Sequence, residues 1–360
     1  MADTSTIAAL QAKIWSTQLW VEAQEEIYFK KFLGKMEPTT DKLEITGFNN
    51  AIVLKEDLLS EGDQHKGYVI TIPIAMKLSG AGVTGDSTLE GNEEAISTYD
   101  FSMTVEQLRN AVRDTGLNDN YKVTYNVRQM MKALLKTWLK EKMDYQMFEA
   151  LSNSPTYSAT FKSNRHIYAG DATSVATLDS SIADTGNLFD CRIVKKARRL
   201  ADKSDPKIRP IIVDGQEYFL ILASPEQIRG LHESSDWKSE YRYAWERGPQ
   251  NPIFTGADSI IDGCIIHKHN NIFTAAIGHE LANDAASVDN TATAAVARAL
   301  LLGAQAGAYA IAKRPFWVEK FFDFGNKLGV ATGLIYEAAK VKFNSIDYGT
   351  ICIDTMIEEN

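Results

Sequence analysis

Along much of this chain the spacing of apolar residues is clear enough to name elements. Tyr68, Ile70, Ile72, Ile74, Met76 and Leu78 alternate with other residues from Gly67 onward. That is the period of a half-buried strand. Ser97 to Val105 repeats it, with Tyr99, Phe101, Met103 and Val105 on one face and Thr98, Asp100, Ser102 and Thr104 on the other. The two runs predict a long β-hairpin whose tip, Ser79 to Ala95, holds about 17 residues, far more than the two to five of an ordinary hairpin loop. Two strands alone are marginal, and Pro73 cannot donate to a ladder. A hairpin of this kind needs cover, and if it projects from the body another molecule must supply it.

A 3.6-residue period is strongest from Tyr121 to Leu151. Val127, Met131, Leu134, Trp138, Tyr145 and Phe148 form one stripe, and Leu135, Leu139, Met143, Met147 and Leu151 a second. A helix of about 30 residues is about 45 Å long, and two stripes predict cover on two sides. Arg128, Lys132, Lys136 and Lys140 form a basic row on the remaining face, which reads either as solvated or as a contact for acidic protein or phosphate.

Elsewhere Ile7, Leu10, Ile14, Leu19, Ala23 and Ile27 predict an N-terminal helix. Trp15, Trp20, Tyr28, Phe29 and Phe32 add apolar surface that either joins the chain's own core or marks an interface. Lys35 to Asp41 reads as a linker. Asp114 to Asn120 reads as a turn, and Ser152 to Asp184 as loops. Leu188 to Lys203 is an amphipathic helix with Ile193, Ala197 and Leu200 inward. Ile208–Val213 and Tyr218–Ala223 read as strands joined at Asp214-Gly215. Ser224-Pro225-Glu226-Gln227 has the capping residue, first-turn proline and returning Gln of a helix start. Trp237, Tyr241 and Trp245 share a face of the stretch that follows. Ile260 to His269 reads as one strand. Ala299–Leu302 reads as another, leading into a small-residue helix up to Ala312. Phe316–Phe322, Val330–Tyr336, Ala339–Phe343 and Gly349–Asp354 are closing strands. The order is mixed α+β, without βαβ repetition or internal repeats.

Composition narrows the function classes. The 360 residues are 44% apolar and 24% charged, with a net charge of -9. An acidic chain does not coat nucleic acid with its whole surface. Cys191, Cys264 and Cys352 fit neither a zinc spacing nor a disulfide framework, and read as buried thiols in a reducing compartment. The N-terminus is polar, without a signal-peptide pattern. The run Ala294–Ala312 approaches membrane length, but Arg298 and Gln305 and its Ala and Gly content argue against a span.

Candidate chemistry is sparse. Gly80-Ala81-Gly82-Val83-Thr84-Gly85 matches G-x-G-x-x-G after a strand, but no apolar helical face follows to receive a pyrophosphate. Asp86, Glu90, Glu93 and Glu94 would repel one. The glycines fit turns with positive φ better. His267 and His269 share a predicted strand face without a third metal ligand nearby in sequence. His279-Glu280 lacks the second His of a helical zinc site. No G-x-S-x-G occurs, and nothing supports a Cys–His pair. The expectation is no enzyme, no cofactor and no metal.

The tip, Lys77 to Ala95, resembles the signature of a family of phage major capsid proteins, the N-four-like branch among tailed double-stranded-DNA bacteriophages. Similar stretches follow in family order: Gln107–Val112, Asn251–Gly256, Arg298–Ala306 and Phe316–Gly325. The resemblance spans about residues 10–355. It implies the Hong Kong 97-type α+β capsid fold, with residues 1–45 as N-terminal arm and 60–110 as extended loop. It also implies a peripheral domain from 46–59 and 111–164, with a spine helix at 121–151. Residues 165–312 become the axial domain, and 313–360 closing strands.

On this resemblance Leu78, Gly80, Gly82, Val83, Gly85, Leu89, Glu90, Gly91, Glu93 and Glu94 of the tip contact a neighbouring subunit. The helix row Arg128, Lys132, Lys136 and Lys140 meets DNA or a neighbour's acidic residues. The implied partners are further copies in hexamers and pentamers, a separate scaffolding protein and a portal, with a decoration protein as an option. The shell encloses double-stranded DNA without sequence-specific binding, and no membrane is involved. It is built in the host bacterial cytoplasm and ends in the virion. A bacterial nanocompartment shell of the encapsulin kind is the alternative within the fold. A nucleotide-binding enzyme using the Gly80–Gly85 loop is the alternative outside it.

Overall fold

A computed structural model describes residues 27–35, 50–56, 69–75, 83–85, 90, 98–116, 122, 126–152, 165–170, 172, 178, 187–205, 207–213, 216–239, 259–275, 295–343 and 346–357. The predicted N-terminal helix, Tyr241, Trp245 and His279 lie outside these residues. Two sheets share one long helix.

The first sheet has the order β1-β2-β13-β14-β5. Its strands are β1 (Leu33–Lys35), β2 (Ile52–Glu56), β5 (Glu106–Arg113), β13 (Gly307–Phe322) and β14 (Lys327–Lys340). The helix α1 (Val127–Ser152) packs on one face. It starts later than Tyr121 because Asn126 caps it, its Oδ1 accepting from the N–H groups of Arg128 and Gln129 at 3.1 and 3.3 Å. Leu135, Leu139, Met143, Met147 and Leu151 are all buried, so the i+4 stripe is packed along its whole length, and Met131 and Phe148 of the first stripe are buried with it. The other stripe is not covered throughout: Leu134 and Tyr145 are 49% and 41% exposed. Against α1 the sheet sets Leu108, Val112, Trp317, Val330, Leu334 and Tyr336.

The opposite face of this sheet is divided. Its proximal part, with Ala308, Ala310, Ala312, Ile335 and Ala339, is covered by Ile70, Met103 and Val105. Those three come from the predicted hairpin, whose strands are β3 (Val69–Ala75) and β4 (Thr98–Thr104), followed by the connecting Val105. Among the described residues no other element covers the distal part, where Phe316, Gly333 and Arg109 stand in one row and Lys320, Gly329 and Arg113 in another.

The second sheet follows the path β6-β17-β12-β8-β10-β9. Its strands are β6 (His166–Tyr168), β8 (Gln216–Ala223), β9 (Ser259–Ile261), β10 (Cys264–Lys268), β12 (Val296–Leu302) and β17 (Thr350–Met356), with β7 (Ile211–Val213) beside β8 and β11 (Thr274–Ala275) beside β12. Here both faces are buried. Leu220, Leu222, Leu300, Leu302 and Cys352 join the core around α1. Phe219, Ile221, Leu301, Ile351 and Ile353 join a second core with α2 (Cys191–Lys203) and α3 (Pro225–Glu233). α2 begins at Cys191 because Asp190 caps it, and Ser224 and Gln227 form the expected capping box of α3. Gln227 Nε2 also donates to the Ala297 carbonyl and to Thr355 Oγ1, fixing α3 to β12 and β17.

Three readings need correction. The run to Ala312 is no helix: β12 ends at Leu302 and β13 begins at Gly307. A short apolar run buried on both faces has no period that separates strand from helix. Ile260–His269 is not one strand but the hairpin β9–β10, turned at Asp262 and Gly263 with φ of 48° and 72°. Asp-Gly is a hairpin-turn signal. β5 and β6 were not foreseen: β5 has one exposed face, and β6 is three residues in a polar stretch. All three cysteines are free and buried, and burial pushes the Cys264 thiol up to about 12 and the Cys352 thiol to about 11.

Candidate functional site

The hairpin is built as its alternation demands. Ile70, Ile72 and Ile74 stand opposite Met103, Phe101 and Tyr99 in the β3–β4 ladder, and Pro73 opposite Asp100. The two strands pair only with each other among the described residues. Of the ten tip residues singled out from the sequence, the structure describes three. Val83 is half-buried, Gly85 has φ of +68° and Glu90 is exposed. A Cβ at Gly85 would meet nothing within 4 Å, so backbone conformation, not crowding, calls for glycine there. Leu78, Gly80, Gly82, Leu89, Gly91, Glu93 and Glu94 lie outside the described residues.

The basic row of α1 turns toward its own chain at one end. Arg128 grips Glu319 with the Nε–Nη2 edge of its guanidinium, Nη2 lying 2.8 and 2.9 Å from Oε1 and Oε2 and Nε 3.0 Å from Oε1. The indole N–H of Trp317 donates to the same Oε1 at 2.8 Å. Lys132, Lys136 and Lys140 are half-buried, and each has an interaction of its own. None of the four is a free cation.

Sequence reasoning missed a buried polar joint. Arg298 and Asp354 stand opposite each other in the β12–β17 ladder, each at most 1% exposed. Arg298 Nε and Nη2 lie 2.8 and 2.9 Å from the two carboxylate oxygens, and Nη1 donates to the Ser152 carbonyl at 2.9 Å. A side chain of β12 thus satisfies a carbonyl that the last turn of α1 would leave unpaired. His166 Nε2 sits 2.7 Å from Asp354 Oδ2, off the line of a good hydrogen bond. Burial alone would raise the Asp354 pKa, but Arg298 and His166 outweigh it and hold the carboxyl well below the usual carboxylate range. The signal was present as one Arg in Val296–Leu302 and one Asp in Thr350–Met356, each in an otherwise apolar or neutral strand. A buried charge needs a partner.

A second buried pair, Lys340 Nζ to Asp347 Oδ2 at 2.8 Å, ties β14 to β16 (Ile346–Asp347), which pairs with β15 (Lys342–Phe343). Next to it the Lys342 amine is pulled down to about 7, by burial first and by Lys340 second.

His267 and His269 belong to aromatic packing. Phe32 lies 5.6 Å from the His267 ring, and His269 lies 4.2 Å from Tyr28 and 4.6 Å from Phe148. Tyr28, Phe29 and Phe32 therefore dock on the chain's own core. The Tyr28 N–H donates to Asp144 Oδ2 at 3.1 Å. Burial raises the Asp144 carboxyl to about 6, against this bond and one from Phe29. Among the described residues no group of three or more His, Cys, Asp or Glu could hold a metal. No described helix is long and apolar enough to cross a membrane.

Comparisons with known proteins agree with this architecture. A family model described as phage capsid protein matches residues 3–359. The major capsid protein of Pseudomonas phage KPP25 is 28% identical over 380 residues, covering 95% of this chain and 94% of the relative. Among solved structures, the capsid of Ralstonia phage GP4 superposes with a TM-score of 0.71 at 24% identity, covering 92% of each chain. The capsid asymmetric unit of cyanophage Pam1 gives 0.67 at 20% identity, again over 92% of each.

Proposed function

This chain belongs to the family of phage capsid proteins, and on that premise we propose that it is the major capsid protein of a tailed bacteriophage. It assembles as hexamers and pentamers into an icosahedral shell around a double-stranded DNA genome. The observation that carries this reading is the family match, which leaves only the first two residues and the last outside. The α+β fold supports it. So does a hairpin that forms its own two-stranded sheet and rests on the body through Ile70, Met103 and Val105.

Within this reading residues 1–45 form the arm and 60–110 the extended loop. Residues 46–59 and 111–164 form the peripheral domain, 165–312 the axial domain and 313–360 the closing strands. The tip residues Leu78 to Glu94 make the inter-subunit contact. Arg128 of the helix row serves the subunit's own packing through Glu319. The chain works as a structural protein without catalysis. Scaffolding and portal proteins are separate partners, and assembly takes place in the host cytoplasm.

The test is electron microscopy of the full-length protein, alone and with a scaffolding protein. Closed shells of uniform size are expected. A compact monomer across a wide concentration range, without shells under either condition, would overturn the reading. Shells that purify with protein cargo and never with DNA would point to a nanocompartment instead.

A further inference from the structure

The outer side of α2 is basic. Arg192, Lys195, Lys196, Arg199 and Lys203 are all exposed, and the helical period places them within a sector of about 100°. Ile193, Val194, Ala197 and Ala201 are buried on the other side. Some of the charge on this helix serves the fold. Half-buried Arg198 lies 4.5 Å from the centre of the Phe219 ring, and its Nε is 3.1 Å from Asp202 Oδ2. Lys207 takes the other oxygen of Asp202 at 3.6 Å. Lys196 Nζ donates to the carbonyls of Tyr168 and Gly170 at 3.3 and 3.4 Å. The Asp190 carboxylate is engaged as the helix cap. Among the described residues Arg192, Lys195, Arg199 and Lys203 pair with no carboxylate.

These four cations are solvated and stable as they stand. What they create is a local positive potential on an acidic chain. Residues 192–209 hold eight Lys or Arg against two Asp, whereas the whole chain carries -9. α3, packed on the same core, shows the contrast: its Arg229 lies 3.8 Å from Glu233 one turn on. The α2 face also lacks an apolar anchor, since Leu200 at its edge is half-buried. Protein interfaces set apolar and aromatic residues at the centre and charge at the rim. A nucleic-acid backbone asks for the reverse, clustered Arg and Lys without apolar contact. From Arg192 to Lys203 the helix rises about 16 Å, and about nine phosphates of a duplex lie along that length.

We propose that the outer face of α2, through Arg192, Lys195, Arg199 and Lys203, binds the phosphate backbone of double-stranded DNA without reading its sequence. The inference rests on the shell reading, which supplies the duplex, and names the surface that the duplex lies against. Each cation meets phosphate oxygens through charge-assisted hydrogen bonds and releases counterions as it does so.

The test titrates full-length protein onto a short labelled duplex over a range of salt concentrations. Arg192→Gln/Lys195→Gln/Arg199→Gln should bind roughly tenfold more weakly or worse at low salt, and the slope of log affinity against log salt should fall by about 0.9 for each cation removed. Gln keeps the helix propensity, so the melting temperature should hold. Lys31→Gln/Lys238→Gln/Lys320→Gln takes exposed cations from three separate places and lowers the net charge equally. It should leave binding within roughly twofold of wild type. Arg192→Lys/Arg199→Lys keeps the charge and should bind as wild type does. Equal losses in the two triple variants would overturn the proposal, because net charge and not this face would then set affinity. So would a wild type that binds no duplex at low salt, or an α2 variant that binds as wild type does. A poly-glutamate peptide held by wild type and lost by the α2 variant, with duplex binding unchanged, would overturn it in favour of an acidic protein. Should the triple variant not fold, Lys195→Gln alone is read by its salt slope, expected lower by about 0.9, and an unchanged slope counts against the face. Shells are scored separately by electron microscopy: wild type that forms none yet binds duplex through α2 fails the shell reading and supports this surface.

Discussion

The two sheets solve the same problem in opposite ways. The second sheet is closed on both faces, and β12 and β17 are buried at every residue. Its polar groups are therefore internal and matched, Arg298 to Asp354 and to the end of α1. Among the described residues the first sheet is closed by α1 on one face and only in part by the hairpin on the other. Its distal charges are left facing outward. The comparison separates charge that specifies a fold from charge available to a partner. Burial and existing partners make that distinction, and neither can be read from a basic run.

Four measurements would break or sharpen it. The largest effect is expected at the joint. Arg298→Met leaves the Asp354 carboxylate buried without its main partner, and should cost about 3–5 kcal/mol in chemical denaturation. A loss under about 1 kcal/mol would mean the joint is not what closes the second sheet. Next is Asp144. Its folded pKa of about 6 exceeds the ordinary 3.8, so the native state holds a proton the unfolded chain has lost. Stability is fully present below the ordinary value and falls as pH rises toward and through about 6, by on the order of 2 kcal/mol. Asp144→Asn should flatten that slope in melts taken from pH 4 to 7.

A smaller effect is expected at Arg128. Its pair with Glu319 is partly exposed, so Arg128→Ala should cost roughly 1 kcal/mol, and a double-mutant cycle with Glu319→Ala should show coupling. Smallest is the open face. Arg109→Ala with Lys320→Ala should change the stability of the isolated subunit by less than about 0.5 kcal/mol. A larger loss would mean these cations already serve the fold, which would erase the contrast between the sheets.

Much of this was legible from sequence, for reasons particular elements show. The β3–β4 ladder and the i+4 stripe of α1 follow from period alone, because each has one wet side and one dry side. The capping box of α3 is local and reads directly, whereas the Asp190 cap that starts α2 was passed over. The strand from Gly307 was hidden by its setting: a run of Gly, Ala and Ile buried on every side has no polar phase to reveal its period. The partners of Arg128 and Arg298 lie 191 and 56 residues away. Whether a cation is occupied depends on that distant residue. The resemblance named the family where the residues alone reached only a hairpin in need of cover.

β13 has one further consequence. Its pairing with β14 slips between Ile311 and Lys313 and again between Lys313 and Phe316, at Pro315. On one side of that break the strand also pairs with β2, from Gly307 to Ile311; on the other it runs to Phe322 without a second partner at that edge among the described residues. A strand of this length spans about 53 Å, and a bulge concentrates bending at one place. The sheet is thus two stiff plates on a hinge. On the shell reading, a load applied at the outer plate would flex the strand at Lys313–Phe316 before it disturbed the buried joint.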